Sequence, residues 1–127
     1  VRKLRQRFYG DCFPTCVAMI KDIPHNEIIK IAYPNHKKGS KYKSFFLKDC
    51  KRLLNKIKLS VTVKAPVKKL TDIKTAAILS IVWKTGRKSG HAVVWDPVSK
   101  KIYDPLYKYS LRHSLYVNNM RWYLEVR

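Results

Sequence analysis

The apolar residues of this chain change their spacing once, near Leu59, and that change constrains the fold more than any other feature. Before it the spacing is helical. Cys12, Cys16, Val17 and Ile20 recur on one face of a 3.6-residue period, so a helix is expected from Cys12 onward. Asp11 stands where an N-cap belongs, and Pro14 falls in the first turn, where its missing N–H is harmless. Pro24 ends this element. Ile28, Ile29 and Ile31 supply the apolar face of a second, short helix over residues 26–32. A third begins near Ser44 and carries Phe45, Leu47, Cys50, Leu53, Leu54 and Ile57.

Beyond Leu59 the period becomes two. Leu59, Val61 and Val63 alternate with Ser60, Thr62 and Lys64, as in a half-buried strand. Residues 71–75 read as one helical turn. Residues 77–83 form a continuous apolar run of strand length, which suits a buried central strand. Residues 85–90 read as a turn, and residues 91–95 and 101–103 as a hairpin closed around residues 97–100. Residues 107–113 show no clear pattern, and residues 121–126 supply a last strand. Helices first and an antiparallel sheet second predict an α+β fold rather than a wound parallel sheet.

At 127 residues the chain is expected to form a single domain spanning residues 1–127. Its 46% apolar and 12% aromatic content excludes the disordered class. No run approaches the roughly 18 apolar residues of a membrane span. Val1-Arg2-Lys3-Leu4-Arg5 is not a signal peptide, and Cys12, Cys16 and Cys50 do not resemble a disulfide framework. A cytoplasmic, reducing setting is therefore expected. Lys and Arg total 28 against 8 Asp and Glu, a net charge of +20 at pH 7. Such a field draws a protein toward polyanions: nucleic acid, an anionic membrane surface or an acidic protein partner. No RNP-type motif, zinc finger or Gly-rich phosphate loop accompanies the basic runs.

Four residues carry candidate chemistry. Cys12 opens a predicted helix, where the macrodipole favours thiolate, the nucleophilic form of the thiol. Cys16 lies one turn further in and suits the core. Gln6 precedes Cys12 by six residues, and a side-chain amide near a nucleophile can donate to an oxyanion. His91 opens the apolar stretch Ala92-Val93-Val94-Trp95. If Asp96 and Lys101 close the hairpin, Val93 lies opposite Asp104, and Asp104 is diagonal to His91 on one face. Asp96 is an odd step from His91 and points elsewhere, so Asp104 is the better partner. Cys50 reads as core; His25, His36 and His113 read as surface residues.

The segment Gln6-Arg7-Phe8-Tyr9-Gly10-Asp11-Cys12-Phe13-Pro14-Thr15-Cys16-Val17-Ala18-Met19 resembles the nucleophile motif of the bacteriocin-processing, double-glycine-leader peptidases and their papain-like relatives. Gly90-His91-Ala92-Val93-Val94 and Tyr103-Asp104-Pro105 resemble that family's second and third motifs, and the order Gln, Cys, His, Asp is the family order. The resemblance implies a papain-like α+β fold without metal or organic cofactor. It implies Cys12 as nucleophile, His91 as general base, Asp104 as orienter and Gln6 as oxyanion donor, acting on a peptide or protein substrate. Phe13 departs from the pattern, which has Gly there, and a large side chain at this point is expected to narrow the cleft or alter approach to the thiol. No transporter segment accompanies the domain, so a role in leader-peptide export is not expected.

Two other readings stay open at this level. One keeps the fold and makes the chain a basic module that binds nucleic acid or an acidic protein. The other places zinc on Cys12, Cys16 and a histidine, although no CxxC or HxxxH pair completes the usual spacing.

Overall fold

The computed structural model describes residues 1–7, 11–40, 42, 45, 47–83 and 90–126. Its elements follow the predicted order. Three helices come first: α1 (Cys12–Lys21), α2 (His25–Ala32) and α3 (Leu47–Lys56). The strands are β1 (Val61–Lys64), β2 (Ala77–Val82), β3 (Gly90–Asp96), β4 (Lys101–Tyr103) and β5 (Met120–Val126), with α4 (His113–Asn118) inserted before β5. They make one antiparallel sheet in the order β1-β5-β2-β3-β4.

The apolar run of β2 is central, as its sequence predicts, paired with β5 on one side and β3 on the other. Alternation then divides the interior in two. Ile78, Ala92 and Val94 pack with Phe13, Cys16, Val17 and Met19 of α1 and with Leu53 of α3. Leu79, Ile81, Val93 and Trp95 face a second cluster with Leu70, Ile73 and Tyr116. The Trp95 indole N–H, buried there, donates to the Ile73 carbonyl at 3.1 Å. Because α1 lies between β3 and the other helices, residues Phe13 to Met19 are all buried.

Several boundaries differ from the periodicity. Leu59 is not in β1: its N–H bonds to the Leu54 carbonyl, and its side chain joins the helical core. Phe45 precedes α3, and Ser44 lies outside the described residues. The helical turn is a 3₁₀ turn at Leu70–Asp72, a residue earlier than expected. Most of the turn expected at residues 85–90 lies outside the described residues; Gly90 itself opens β3 opposite Val82. α4 has no counterpart in the sequence reading. It is six residues long and buries only Tyr116, too little to set a period. Among the described residues no helix is long and apolar enough to cross a membrane.

Candidate active site

The β3–β4 hairpin has the expected register. Asp96 pairs with Lys101, Trp95 with Ile102 and Val94 with Tyr103. Asp96 caps the turn, its carboxylate accepting the Val98 N–H at 3.0 Å and the Ser99 hydroxyl at 2.8 Å. One step past β4, Asp104 meets His91: Nε2 of His91 lies 2.7 Å from Oδ1. Cys12, the first residue of α1, is close enough to His91 to act on its ring through hydrogen bonding and charge. With Nε2 on Asp104, Nδ1 is the ring nitrogen left for the thiol.

Asp104 is fully buried and well supplied with donors. Besides His91, the Leu106 N–H donates to Oδ1 at 2.9 Å and the Tyr116 hydroxyl to Oδ2 at 2.7 Å. Burial pushes this carboxyl upward, but the hydrogen bond and charge of His91, with the Leu106 and Tyr116 bonds, hold it below the usual value. For His91, burial opposes the charged ring; hydrogen bonds to Asp104 and Cys12 outweigh it and push the pKa up to about 9. Tyr116 is itself buried, and its hydroxyl accepts the Leu111 N–H at 2.9 Å, so the donor to Asp104 is fixed in turn.

The N-terminal segment runs along the chain that follows Asp104. The Lys3 ammonium donates to the carbonyls of Asp104 and Tyr107, Arg5 to the Leu106 carbonyl, and the Gln6 N–H to the Pro105 carbonyl at 2.8 Å. Gln6 is thereby placed next to Asp104's neighbour, half-buried, with its Oε1 in the interior.

The other thiols are different. Cys16 is fully buried, and burial pushes it well above the ordinary thiol value. Cys50 is pushed by burial to about 12. Only Cys12 is partly open. Among the described residues, no three His, Cys, Asp or Glu side chains gather as a metal site requires.

Three expectations need correction. Phe13 does not stand open beside the thiol: its ring is buried and stacks on Phe45, with centroids 6.0 Å apart. The position after Cys12 already faces the core, where a large apolar residue is favourable. Asp11 makes no side-chain capping bond to α1. Its carboxylate turns to Arg7, Thr15 and His25 instead. His25, expected at the surface, is only 6% exposed because it forms part of that cluster. Neither Tyr116 nor the Asp11–His25 pair has a signal in the sequence, since each bond joins elements whose contact no local spacing announces.

No protein-family model and no curated protein matches this sequence. Among solved structures, the chain is similar to the peptidase domain of Streptococcus ComA, described as a bi-functional ABC transporter involved in a quorum-sensing pathway. The TM-score is 0.72 over 98% of this chain and 96% of that one, at 13% sequence identity. At that identity the likeness is one of fold alone. The chain therefore has the α+β papain-like peptidase fold, with N-terminal helices packed on a C-terminal antiparallel sheet.

Proposed function

We propose that this chain is a cysteine hydrolase, a peptidase or isopeptidase, acting through Cys12, His91 and Asp104. The observation that carries the reading is the convergence of a partly open thiol at the start of α1, the His91 ring on which it acts, and a fully buried carboxylate 2.7 Å from that ring. His91 takes the Cys12 proton, and the raised pKa of its ring suits it to hold that proton. The thiolate attacks an acyl carbon. The Gln6 amide and the Cys12 N–H stabilise the resulting oxyanion, each contributing about 3 kcal/mol as such donors do. His91 then gives its proton to the leaving amine, leaving a thioester. Water, deprotonated by His91, releases the acyl group. Asp104 keeps the ring oriented throughout and stabilises its cationic form.

The test is labelling of native protein with iodoacetamide between pH 5 and 9, read at each cysteine by mass spectrometry. Fast modification of Cys12 at pH 6, lost in His91→Ala, supports the reading; labelling that rises only near the ordinary thiol range opposes it. In the same assay Cys12→Ala is expected to abolish modification by an acylating probe, whereas Cys16→Ala leaves it intact.

A second reading, a module that binds nucleic acid, is favoured by the net charge of +20 and by a groove of about 430 Å³ on the sheet face away from α1. Lys68, Lys69, Lys100 and His113 line it, and among the described residues no carboxylate does. Binding of a nucleic acid that weakens steeply with salt, unchanged in Cys12→Ala, is the expected sign of that function.

A further inference from the structure

Beside Cys12 lies a second buried carboxylate–imidazole pair that the reaction above does not use. Asp11 is fully buried and His25 nearly so. Oδ2 of Asp11 accepts the Arg7 N–H at 3.1 Å and lies 3.1 Å from Nε2 of His25 and 3.3 Å from the Thr15 hydroxyl. The protons can be assigned. Thr15 has one to give, and its shortest contact is the Asp11 carbonyl at 2.7 Å. Toward His25, 3.2 Å away, the hydroxyl is therefore the acceptor, and Nε2 carries the ring proton, shared between Thr15 and Asp11. Among the described residues, Asp11 Oδ1 and His25 Nδ1 are buried without a hydrogen-bond partner.

Its geometry points to the oxyanion donor. The Arg7 N–H belongs to the peptide unit that joins Gln6 to Arg7, and that unit is planar, so holding the N–H fixes the plane on one side of the Gln6 Cα. On the other side the Gln6 N–H is held by the Pro105 carbonyl at 2.8 Å. One clamp is anchored beside Asp104, the other beside Cys12. The Arg7 guanidinium extends the second clamp by donating to Asn26, next to His25, at 2.7 Å.

We propose that Asp11, held in place by His25 and Thr15, is a positioning residue that sets Gln6 against the nucleophile. The inference rests on the hydrolase reading. It assigns Asp11 to the carbonyl chemistry of the site and not to thiol ionisation.

Two reactions of Cys12 separate these roles. Alkylation by iodoacetamide displaces iodide from a saturated carbon and needs thiolate but no oxyanion donor. Acylation by p-nitrophenyl acetate passes through a tetrahedral oxyanion before p-nitrophenolate leaves, and needs both. The readout is the ratio of the acylation and alkylation rate constants at one pH. In Gln6→Ala the ratio is expected to fall about a hundredfold, as when an oxyanion donor is removed. Asp11→Ala is expected to lower it by roughly tenfold or more, and Asp11→Asn, which keeps an acceptor for the Arg7 N–H, to restore most of it. The double variant Asp11→Ala/Gln6→Ala should be no worse than Gln6→Ala, because Asp11 acts through Gln6. Should Asp11→Ala not fold, His25→Leu carries the same expectation. Additive losses, or equal falls in both reactions, overturn the inference. A wild-type Cys12 that is not activated removes the hydrolase reading itself; an activated Cys12 with an unchanged ratio in Asp11→Ala removes only this proposal.

Discussion

Replacing Asp104 by Asn keeps the shape of the side chain and removes its charge, which isolates what the carboxylate does for His91. Asp104 is fully buried, and its Oδ1 is 2.7 Å from Nε2. Burial opposes the charged ring; hydrogen bonds and charge, from Asp104 foremost, raise its pKa from 6.5 to about 9. A displacement of that size corresponds to about 3 kcal/mol of preference for imidazolium. A neutral acceptor forms a hydrogen bond about half as strong as a charged one, and the Coulomb attraction disappears altogether. The ring is then expected to lose roughly 1.5–3 kcal/mol of that preference, which moves proton transfer from Cys12 to His91 by about ten- to a hundredfold. The assay is the rate of Cys12 alkylation at pH 6, with an NMR titration of the His91 ring and a melting curve to show that the variant is folded. Asp96→Asn is the control, since the side-chain hydrogen bonds of Asp96 among the described residues are to the hairpin turn. A His91 that still titrates near 9 in Asp104→Asn refutes the reasoning, as do equal losses in the two variants.

Tyr116→Phe leaves the half-buried Leu111 N–H without its acceptor and the fully buried Asp104 without one donor. Chemical denaturation is expected to show a loss of about 1–3 kcal/mol; no measurable loss would mean that water replaces the hydroxyl. Phe13→Gly restores the residue of the resembled motif but removes a buried ring stacked on Phe45. It should cost about 3–5 kcal/mol or more without speeding alkylation of Cys12; faster labelling at unchanged stability would return Phe13 to the cleft. Stability should also follow pH with a definite sign. His91 has a raised folded pKa, so its contribution is complete below about 6.5 and is lost as pH climbs through about 9. Asp104 is depressed, so its contribution is complete above about 3.8 and is lost on acidification below that. Urea titrations at pH 5, 7 and 9.5 are expected to give the highest stability at pH 5 from this pair, and His91→Ala should flatten the difference between pH 5 and 9.5.

How much of this protein can be read without coordinates depends on the distance over which each feature is decided. The amphipathic spacing of Cys12, Cys16 and Val17, the alternation at Val61 and Val63 and the apolar run from Ala77 are local, and each reports the surface that its element must bury. They are enough for the order of helices and strands. A hairpin is nearly as local: once Asp96 faces Lys101, the period of two carries His91 and Asp104 to neighbouring positions, and the pair follows. Tyr116 is beyond that reach, because its helix is too short to show a period and its partner lies across an irregular stretch. The burial of His25 is likewise invisible between Pro24 and Asn26; it depends on α2 being packed where its first residue meets Asp11. Phe13 teaches the same lesson, since nothing local says which side of the α1 start faces the cleft and which faces Phe45. Periodicity records that a side chain is to be buried. Which distant group it meets there is decided only when the elements dock, because a hydrogen bond between separate elements leaves no spacing of its own in the chain.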